Sequence, residues 1–199
     1  MKTIKNSTHP KPLKSPAFPK KKFKIILVDP PWKHNDSNAN GKRGAVFKYP
    51  CMALSELIRL PIDQIADDDC AMFMWAVGPM LPEAFQLLRA WDFEYKNITF
   101  VWTKLNRKNR KPFFGLGHWT RTNTEYVLLA TRGKPKRVNA SVRQDVRTPI
   151  RAHSEKPNAV RTRIVQLMGD VPRIELFARH HVPGWSTWGN QVGKLSVKD

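Results

Sequence analysis

The sequence predicts an α/β protein in which helices cover both faces of a mostly parallel β-sheet. Short apolar runs such as Phe23 to Val28, in which Lys24 is the one polar residue, and Cys70 to Ala76 are typical of strands that are buried on both faces. Segments with helical periodicity, such as Asn158 to Met168, alternate with these runs along the chain. Strands that alternate with helices favour this architecture, because each helix packs its apolar face against the sheet.

The individual elements follow each other in a regular order. We expect a strand over 23–28, a short helix over 54–60, a strand over 70–76, a helix over 79–91, strands over 97–103 and 126–131, a helix over 158–168 and a strand over 173–177. The last helix should end at Gly169, because glycine is common directly after a helix C-terminus. With 199 residues, 41% of them hydrophobic, the chain suffices for one sizeable core. We therefore expect one domain over 23–192, a flexible basic arm over 1–22 and a C-terminal tail over 193–199.

The charge balance indicates a phosphate-rich partner. Lys and Arg number 35 against 16 for Asp and Glu, which gives a formal net charge of +19. Nucleic acid is the first candidate for such a basic chain. The alternative is a basic enzyme whose charge only prevents aggregation. The arm over 1–22, which has seven lysines and no acidic residue, would add salt-sensitive phosphate affinity or serve as an unstructured tail.

Cysteine, histidine and hydropathy patterns exclude several classes of protein. Cys51 and Cys70 show neither a CxxC spacing nor the density of a secreted disulfide scaffold, so we expect a cytoplasmic protein. No run approaches the roughly 18 apolar residues of a membrane span. His180 and His181 are adjacent, but no further ligands stand at a metal-binding spacing, and we expect no metal site.

The four residues Asp29-Pro-Pro-Trp32 directly follow the first strand, at the edge where open α/β sheets bind ligands. An exocyclic amine such as that of adenine is a poor nucleophile, and a site that activates it must accept hydrogen bonds from both of its N–H groups. The Asp29 carboxylate and the Pro30 carbonyl are two such acceptors, and Pro31 restricts Pro30 to an extended conformation. Trp32 offers a flat surface for an extruded base or for a cofactor. The alternative is a strand end capped by turn-forming prolines, with Trp32 in the core.

An ordered set of motifs resembles the MT-A70-like adenine methyltransferases. The motifs are Ile25 to Trp32, Tyr49 to Met52, Met72 to Trp75, Val101 to Lys104, Gly115 to Arg121, His153 to Pro157, Arg173 to Arg179 and Gly189 to Gln191. The resemblance covers about residues 24–192. It implies a Rossmann-like three-layer methyltransferase fold in which the base-binding motif precedes the cofactor-binding strand. It also implies transfer of a methyl group from S-adenosylmethionine to adenine N6 in nucleic acid, by a compact single-domain protein of bacterial or phage type acting in the cytoplasm of the cell.

The same resemblance implies roles for individual residues. Asp29 and the Pro30 carbonyl would hold the amine within the catalytic motif, and Tyr49 would pack near the target base. For the cofactor, the resemblance implies Glu175, Arg179, Asn190 and Gln191 around the ribose, Lys156 facing the methionine carboxylate, and Leu176 and His181 close by. The alternatives are that Glu175 pairs with a surface arginine, that Lys156 and Arg179 are solvated charges, and that Asn190 only turns the chain.

The stretch over 104–123 is long for an idle loop and rich in basic and aromatic residues. We expect it to contact nucleic acid through Lys104, Arg107, Lys108, Arg110, Lys111, His118, Trp119 and Arg121. The alternative is a structural loop with Trp119 in the core. Glu125 would pair with Arg121 if the turn between them is helical. The basic connection over 132–156 would rim the same cleft.

Two rival functions remain open at this point. The first is a non-catalytic nucleic-acid-binding subunit, which would keep the fold without binding S-adenosylmethionine. The second is methylation of a cytosine amine, since related motifs at strand ends serve that reaction. DNA is favoured over RNA as the polymer, because the compact chain carries no recognisable RNA-binding module. A homodimer or a partner subunit is compatible with the sequence.

Overall fold

The seven strands of the described residues form one sheet. The computed structural model describes residues 16–32, 51–115, 117, 119–151, 155–190 and 192. The strands are β1 (Phe23–Val28), β2 (Ala66–Ala76), β3 (Glu94–Leu105), β4 (Thr124–Arg132), β5 (Asp145–Pro149), β6 (Arg173–Leu176) and β7 (Ser186–Trp188). Their order in the sheet is β5-β3-β4-β2-β1-β6-β7. β4 is antiparallel to both of its neighbours, and every other neighbouring pair is parallel. The prediction of a mostly parallel α/β sheet is confirmed.

Helices cover both faces of this sheet and produce the three predicted layers. The α-helices are α1 (Leu54–Ile58), α2 (Leu81–Ala90) and α3 (Asn158–Met168), and short 3-10 turns lie at Ile62–Gln64 and Gly78–Met80. Ile26 and Val28 of β1 belong to the core under α1 and α2, whereas Ile25 and Leu27 belong to the core under α3. Successive residues of a strand point to opposite faces, so a continuously apolar strand supplies both cores at once.

The structure corrects several element boundaries. β2 begins at Ala66 rather than at Cys70, and β3 extends over 94–105 rather than 97–103. Sequence reasoning missed β5 and β7, which lie at the two edges of the sheet. Edge strands need less apolar surface, and Val146 is the one fully buried side chain of β5. α3 has its predicted bounds and ends at Gly169, whose φ of +84° suits a residue without a Cβ.

Residues 16–22 lie against the domain and are not part of a flexible arm. The indole Nε1 of Trp188 donates to the carbonyl of Pro16 at 2.9 Å, and the rings of Phe18 and Trp188 meet edge-on at 4.9 Å. Lys22 Nζ donates to the carbonyls of Asp63 and Ala66 at 2.7 and 2.9 Å. The expectation of an arm over 1–22 is therefore wrong for residues 16–22. The rest of that arm, residues 1–15, and the tail over 193–199 lie outside the described residues.

Hydropathy and length leave no helix suited to crossing a bilayer within the part of the chain that the structure describes.

Candidate active site

The chain topology brings polar residues from several strands to one edge of the sheet. β1, β2, β6 and β7 are parallel, so Asp29 follows β1 at the same edge where β6 ends at Leu176. β4 runs the other way, so its first residues reach this edge too, and Glu125 stands opposite Trp102 of β3. The N-terminus of α3, preceded by Lys156, completes the edge. This is the place where open α/β sheets bind ligands.

The Asp29-Pro-Pro-Trp32 segment forms a tight turn with two main-chain anchors. The amide of Trp32 donates to the carbonyl of Pro30 at 2.8 Å, and the amide of Met52 donates to the carbonyl of Pro31 at 2.9 Å. A carbonyl oxygen has two lone pairs, so Pro30 keeps one for a substrate N–H. Trp32 is 7% exposed and lies in the core under α1 and α2. The stacking surface expected of Trp32 is thus not open, and the core alternative describes its position.

Four charged side chains alternate in sign across the edge, and we call Asp29, Lys156, Glu125 and Lys104 the edge charge cluster. Lys156 Nζ lies 2.8 Å from Asp29 Oδ2 and 3.4 Å from Glu125 Oε2. Lys104 Nζ lies 2.6 Å from Glu125 Oε1. The exposed fractions of these side chains range from 12% for Glu125 to 28% for Asp29. The cluster is shielded enough from water for its attractions to be strong.

Two tryptophans support the ammonium groups of this cluster. Lys156 Nζ stands 5.5 Å from the ring centroid of Trp75, and Lys104 Nζ stands 5.4 Å from that of Trp102. The two indoles themselves meet edge-on at 6.1 Å in the core under α3. An ammonium over an indole face gains cation–π energy, so each lysine is stabilised by a tryptophan ring as well as by carboxylates.

Burial and charge act on the pKa values of the cluster in different proportions. Burial raises the pKa of the Asp29 carboxyl above its ordinary value, although the Lys156 ammonium and more weakly Arg179 oppose this rise. Burial also disfavours the charged form of Glu125, but Lys156 and Lys104 outweigh it and its pKa is lowered. Asp29 and Glu125 likewise overcome the burial of Lys156 and raise its pKa above the ordinary value. Lys156 is therefore a fixed cation rather than a base at neutral pH.

A second group of polar side chains lies beside the first, at the ends of β6 and β7. Glu175 is 6% exposed and accepts hydrogen bonds from Arg161 on both carboxylate oxygens, at 2.6 and 2.7 Å. Its partner is a buried arginine of α3, not the surface arginine of the alternative. Asn190 Oδ1 is buried and has no hydrogen-bond partner among the described residues. A buried acceptor without a partner is costly unless a ligand supplies the donor, so these residues fit a polyhydroxyl group.

The turn after β6 is shaped by close backbone contact with the end of β7. The amide of Ala178 donates to the carbonyl of Trp188 at 3.1 Å, and Phe177 adopts a φ of +60°. A bulky residue rarely takes such a φ, so the surrounding contacts hold it there. A Cβ added to Gly189 would collide with the Ala178 carbonyl oxygen. The glycine thus lets the two strand ends approach, which places Asn190 beside the end of β6.

The remaining residues implied for the cofactor or the base differ in burial, and some lie outside the described residues. Leu176 has a fully buried side chain in the core, so only its main chain can reach a ligand. His181 is exposed, and its Nδ1 lies 2.9 Å from Thr187 Oγ1. Arg179 is close enough to lower the pKa of Asp29. Tyr49, His118 and Gln191 lie outside the described residues.

The loop over 104–123 exposes aromatic and basic side chains together. Trp119 is 99% exposed and Phe114 is 71% exposed, so the alternative of a core Trp119 is wrong. The Arg121 guanidinium stands 5.1 Å from the Phe114 ring centroid. Arg107 donates to the carbonyls of Ile150 and Arg151, which fastens the loop to the chain after β5. Lys108, Arg110 and Lys111 are exposed as expected.

Sequence reasoning misjudged two residues of the site. Glu125 lies in β4 and pairs with Lys104 and Lys156, so the expected helical pairing with Arg121 is wrong. Arg161 was not considered, although it stands three residues before Ile164 and seven before Met168 on the buried face of α3. An arginine within such an apolar stripe signals a buried acidic partner, because an unpaired charge is rarely tolerated there.

No three His, Cys, Asp or Glu side chains among the described residues come close enough to hold a metal ion. Burial raises the pKa of the Cys70 thiol to about 12, so this cysteine stays protonated at neutral pH.

The fold defines the class of protein: a Rossmann-like α/β protein with charged side chains gathered at the carboxyl ends of its parallel strands. The sequence profile of the MT-A70 family matches residues 23–191, and the chain belongs to this family. The resemblance drawn from the motifs and the prediction of a methyltransferase are confirmed.

Individual relatives differ in how much of their length the chain covers. It is 36% identical to the type II methyltransferase M.MunI of a Mycoplasma species, over 96% of this chain and 88% of that protein. It is 29% identical to the N(6)-adenosine-methyltransferase MT-A70-like of Arabidopsis thaliana, over 88% of this chain but 24% of that protein. It is 27% identical to the human N(6)-adenine-specific methyltransferase METTL4, over 90% of this chain and 39% of that protein. The chain thus spans a minor part of the two eukaryotic relatives and most of the first.

Proposed function

We propose that the chain transfers a methyl group from S-adenosylmethionine to the N6 amine of adenine in DNA. The observation that carries this proposal is the Asp29 carboxylate, held at the carboxyl edge of the sheet by the double proline and by Lys156. Adenine is proposed as the target because two of the relatives are named N6-specific adenosine or adenine methyltransferases. DNA is proposed because M.MunI, of which this chain covers 88%, is named a type II methyltransferase.

Asp29 and Pro30 are proposed to receive the two N–H groups of the amine. Lys156 donates to Asp29 Oδ2, and we assign Oδ1 to one N–H of the amine. The free lone pair of the Pro30 carbonyl accepts the other. The two acceptors belong to adjacent residues whose backbone is restricted by proline, so their geometry exists before the base arrives. Orientation of this kind favours attack by the nitrogen lone pair.

Glu125 and Lys104 are proposed to hold Lys156 and Asp29 in place without touching the substrate. This role replaces the expected contact of Lys104 with nucleic acid, because its ammonium is paired with Glu125. Glu125 attracts the Lys156 ammonium through its Oε2, and Lys104 pairs with the other Glu125 oxygen. Lys156 would otherwise be free to rotate about its long side chain, since a lysine has high rotamer entropy. The pair therefore acts on the reaction through Lys156 and Asp29.

The residues at the ends of β6 and β7 are proposed to hold the cofactor. Glu175 and Asn190 offer acceptors for the ribose hydroxyls, and Arg179 and Gln191 belong to the same expected group. Bound there, S-adenosylmethionine supplies a methyl group on a sulfonium as the electrophile. Lys156 is proposed to share its charge between Asp29 and the methionine carboxylate, because an ammonium has three donors.

Nucleic acid is proposed to bind along the exposed loop over 104–123. Trp119 and Phe114 provide stacking surfaces, and Arg121, Lys108 and Lys111 provide positive charge beside them. A base that undergoes chemistry must leave its stack, which requires contacts that stabilise the opened duplex. The lysines of residues 1–22 would add attraction to phosphate.

The proposal is tested by product analysis. The full chain is incubated with S-adenosylmethionine that carries a labelled methyl group and with unmethylated DNA or RNA, and nucleosides are identified by mass spectrometry. We expect labelled N6-methyladenine from DNA. Label in methylcytosine, or in RNA alone, would contradict the substrate proposed.

The rival binding-subunit function is separated by cofactor binding. S-adenosylhomocysteine should raise the melting temperature of the isolated chain by about 5–11 °C at 100 times its Kd, since about 2.7 kcal/mol of linkage stabilises the folded state. A chain that lacks both transfer and this stabilisation would be a non-catalytic subunit.

A further inference from the structure

The buried ion pair between Arg161 and Glu175 links α3 to the end of β6. Arg161 is 7% exposed and Glu175 is 6% exposed. Arg161 Nε donates to Glu175 Oε2 at 2.7 Å, and Nη2 donates to Oε1 at 2.6 Å. This two-pronged contact fixes the plane of the carboxylate, because the planar guanidinium fork matches it atom for atom.

Stability alone is a weak reason for placing two charges here. Val160, Ile164 and Met168 of α3 are apolar and buried, and Ile174 and Leu176 of β6 are fully buried. An apolar pair at positions 161 and 175 would continue the same core. Buried ion pairs can often be replaced by well-packed apolar residues without loss, because removing two charges from water is expensive. The position of the pair at the ligand-binding edge therefore calls for another role.

The ion pair leaves some acceptor positions of the Glu175 carboxylate unused. A carboxylate has about four acceptor positions, two on each oxygen, and Arg161 occupies one on each. One position per oxygen is left, and these two point outward to opposite edges of a carboxylate whose plane Arg161 fixes. Asn190 follows β7 at the same edge of the sheet, and its Oδ1 is a buried acceptor without a partner among the described residues. One outward position of Glu175 and the Asn190 oxygen together supply the two acceptors that a vicinal diol requires.

We propose that Arg161 is a positioning residue that aligns Glu175 for one ribose hydroxyl of the cofactor, while Asn190 receives the other. This inference rests on the proposed function. Arg161 reaches the ligand only through Glu175, and its fork fixes the direction of the outward lone pair that accepts the hydroxyl. A ribose that lacks one hydroxyl leaves one oriented acceptor unpaired, so the pair also discriminates ribose from deoxyribose.

The test measures ribose discrimination by isothermal titration calorimetry on the full chain. The probes are S-adenosylhomocysteine and its 2′-deoxy and 3′-deoxy analogues. The variants are Arg161→Lys, which keeps the charge but loses the fork, and Glu175→Gln, which keeps the shape but loses the charge. Arg163→Lys is the matched control, because Arg163 of the same helix donates to main-chain carbonyls of Arg143 and Asp145. Thermal unfolding verifies that each variant is folded.

We expect the unmodified chain and Arg163→Lys to bind S-adenosylhomocysteine about 10 to 100 times more tightly than either analogue, as for a lost hydrogen bond to a charged acceptor. Arg161→Lys should lower this ratio to about threefold or less for the analogue that lacks the hydroxyl bound by Glu175, mainly by weakening the ribose form, and Glu175→Gln should do the same. Ratios that stay unchanged for both analogues in Arg161→Lys, with tight binding retained, would overturn this inference and leave the proposed function standing. Absence of S-adenosylhomocysteine binding by the unmodified chain would overturn both.

Discussion

Replacement of Glu125 by glutamine should lower the stability of the folded chain, because Glu125 balances the two lysines of the edge charge cluster. Glu125 is 12% exposed in its side chain and lies 2.6 Å from Lys104 and 3.4 Å from Lys156. Glutamine keeps the shape and one acceptor oxygen but removes the charge that balances two ammonium groups. Breaking a fully buried ion pair costs about 3–5 kcal/mol, and because this cluster is partly exposed we expect about 2–3 kcal/mol at neutral pH.

That loss corresponds to a fall in melting temperature of about 4–12 °C for a chain of this size. The expected pH dependence follows from the lowered pKa of Glu125 in the folded state. A carboxyl whose pKa is lowered by folding stabilises the protein above its unfolded value, near 4.5, and this stabilisation is lost as the pH falls through the folded value. The difference between the variant and the unmodified chain should therefore shrink as the pH falls below 4.5.

Thermal unfolding monitored by circular dichroism between pH 7.5 and 4 measures this directly. Glu94→Gln is the control, because Glu94 forms a surface pair with Lys96 at 2.6 Å and its side chain is 77% exposed. A surface pair of this kind is worth less than about 1 kcal/mol. A Glu125→Gln deficit that is equal at pH 7.5 and pH 4, or no larger than that of Glu94→Gln, would refute the reasoning.

Further substitutions test other parts of the site. Lys156→Met removes the ammonium that opposes the rise in the pKa of Asp29. The acidic limb of the pH profile of kcat/KM should therefore move to higher pH. An acidic limb that does not move would count against the contact between Lys156 and Asp29. Gly189→Ala introduces a Cβ that collides with the Ala178 carbonyl oxygen. Calorimetry should show that the affinity for S-adenosylhomocysteine falls by about tenfold or more. Unchanged affinity would show that the turn tolerates a side chain. Trp119→Ala should leave the melting temperature unchanged, because the ring is 99% exposed. Its affinity for DNA, measured by fluorescence anisotropy, should fall about tenfold, as for one lost base stack. A stable variant with full affinity would exclude stacking on Trp119.

The fold was largely predictable because its central strands are buried on both faces. Residues 25–28 of β1 and 70–76 of β2 are consecutive apolar residues, and α3 shows a helical stripe bounded by Gly169. The edge strands β5 and β7 were not predictable from apolar content, because they expose much of their surface to solvent. The antiparallel direction of β4 could not be predicted from the sequence either, since strand direction depends on pairing rather than on local sequence.

The site was predictable only where a local motif carried it. Asp29 and Pro30 follow directly from the four-residue motif at the end of β1, and Lys156 followed from the family resemblance. The role of Glu125 depends on the direction of β4, and the role of Arg161 depends on the packing of α3 against β6. Contacts of this kind join residues that are 14 to 127 positions apart, so no local pattern reports them.

The central claim is that the Asp29 carboxylate receives the amine of the target base. The most direct test is the single-turnover rate of methyl transfer to adenine in DNA, with saturating cofactor and DNA, for Asp29→Asn beside the control Asp92→Asn, whose side chain is 92% exposed. We expect the first substitution to lower the rate about 100-fold to 1,000-fold, as when a preorganised transition-state hydrogen bond is lost, and the second to leave it unchanged. Thermal unfolding verifies that the Asp29→Asn chain is folded before its rate is compared. An Asp29→Asn chain that transfers methyl groups within tenfold of the unmodified rate would contradict the account.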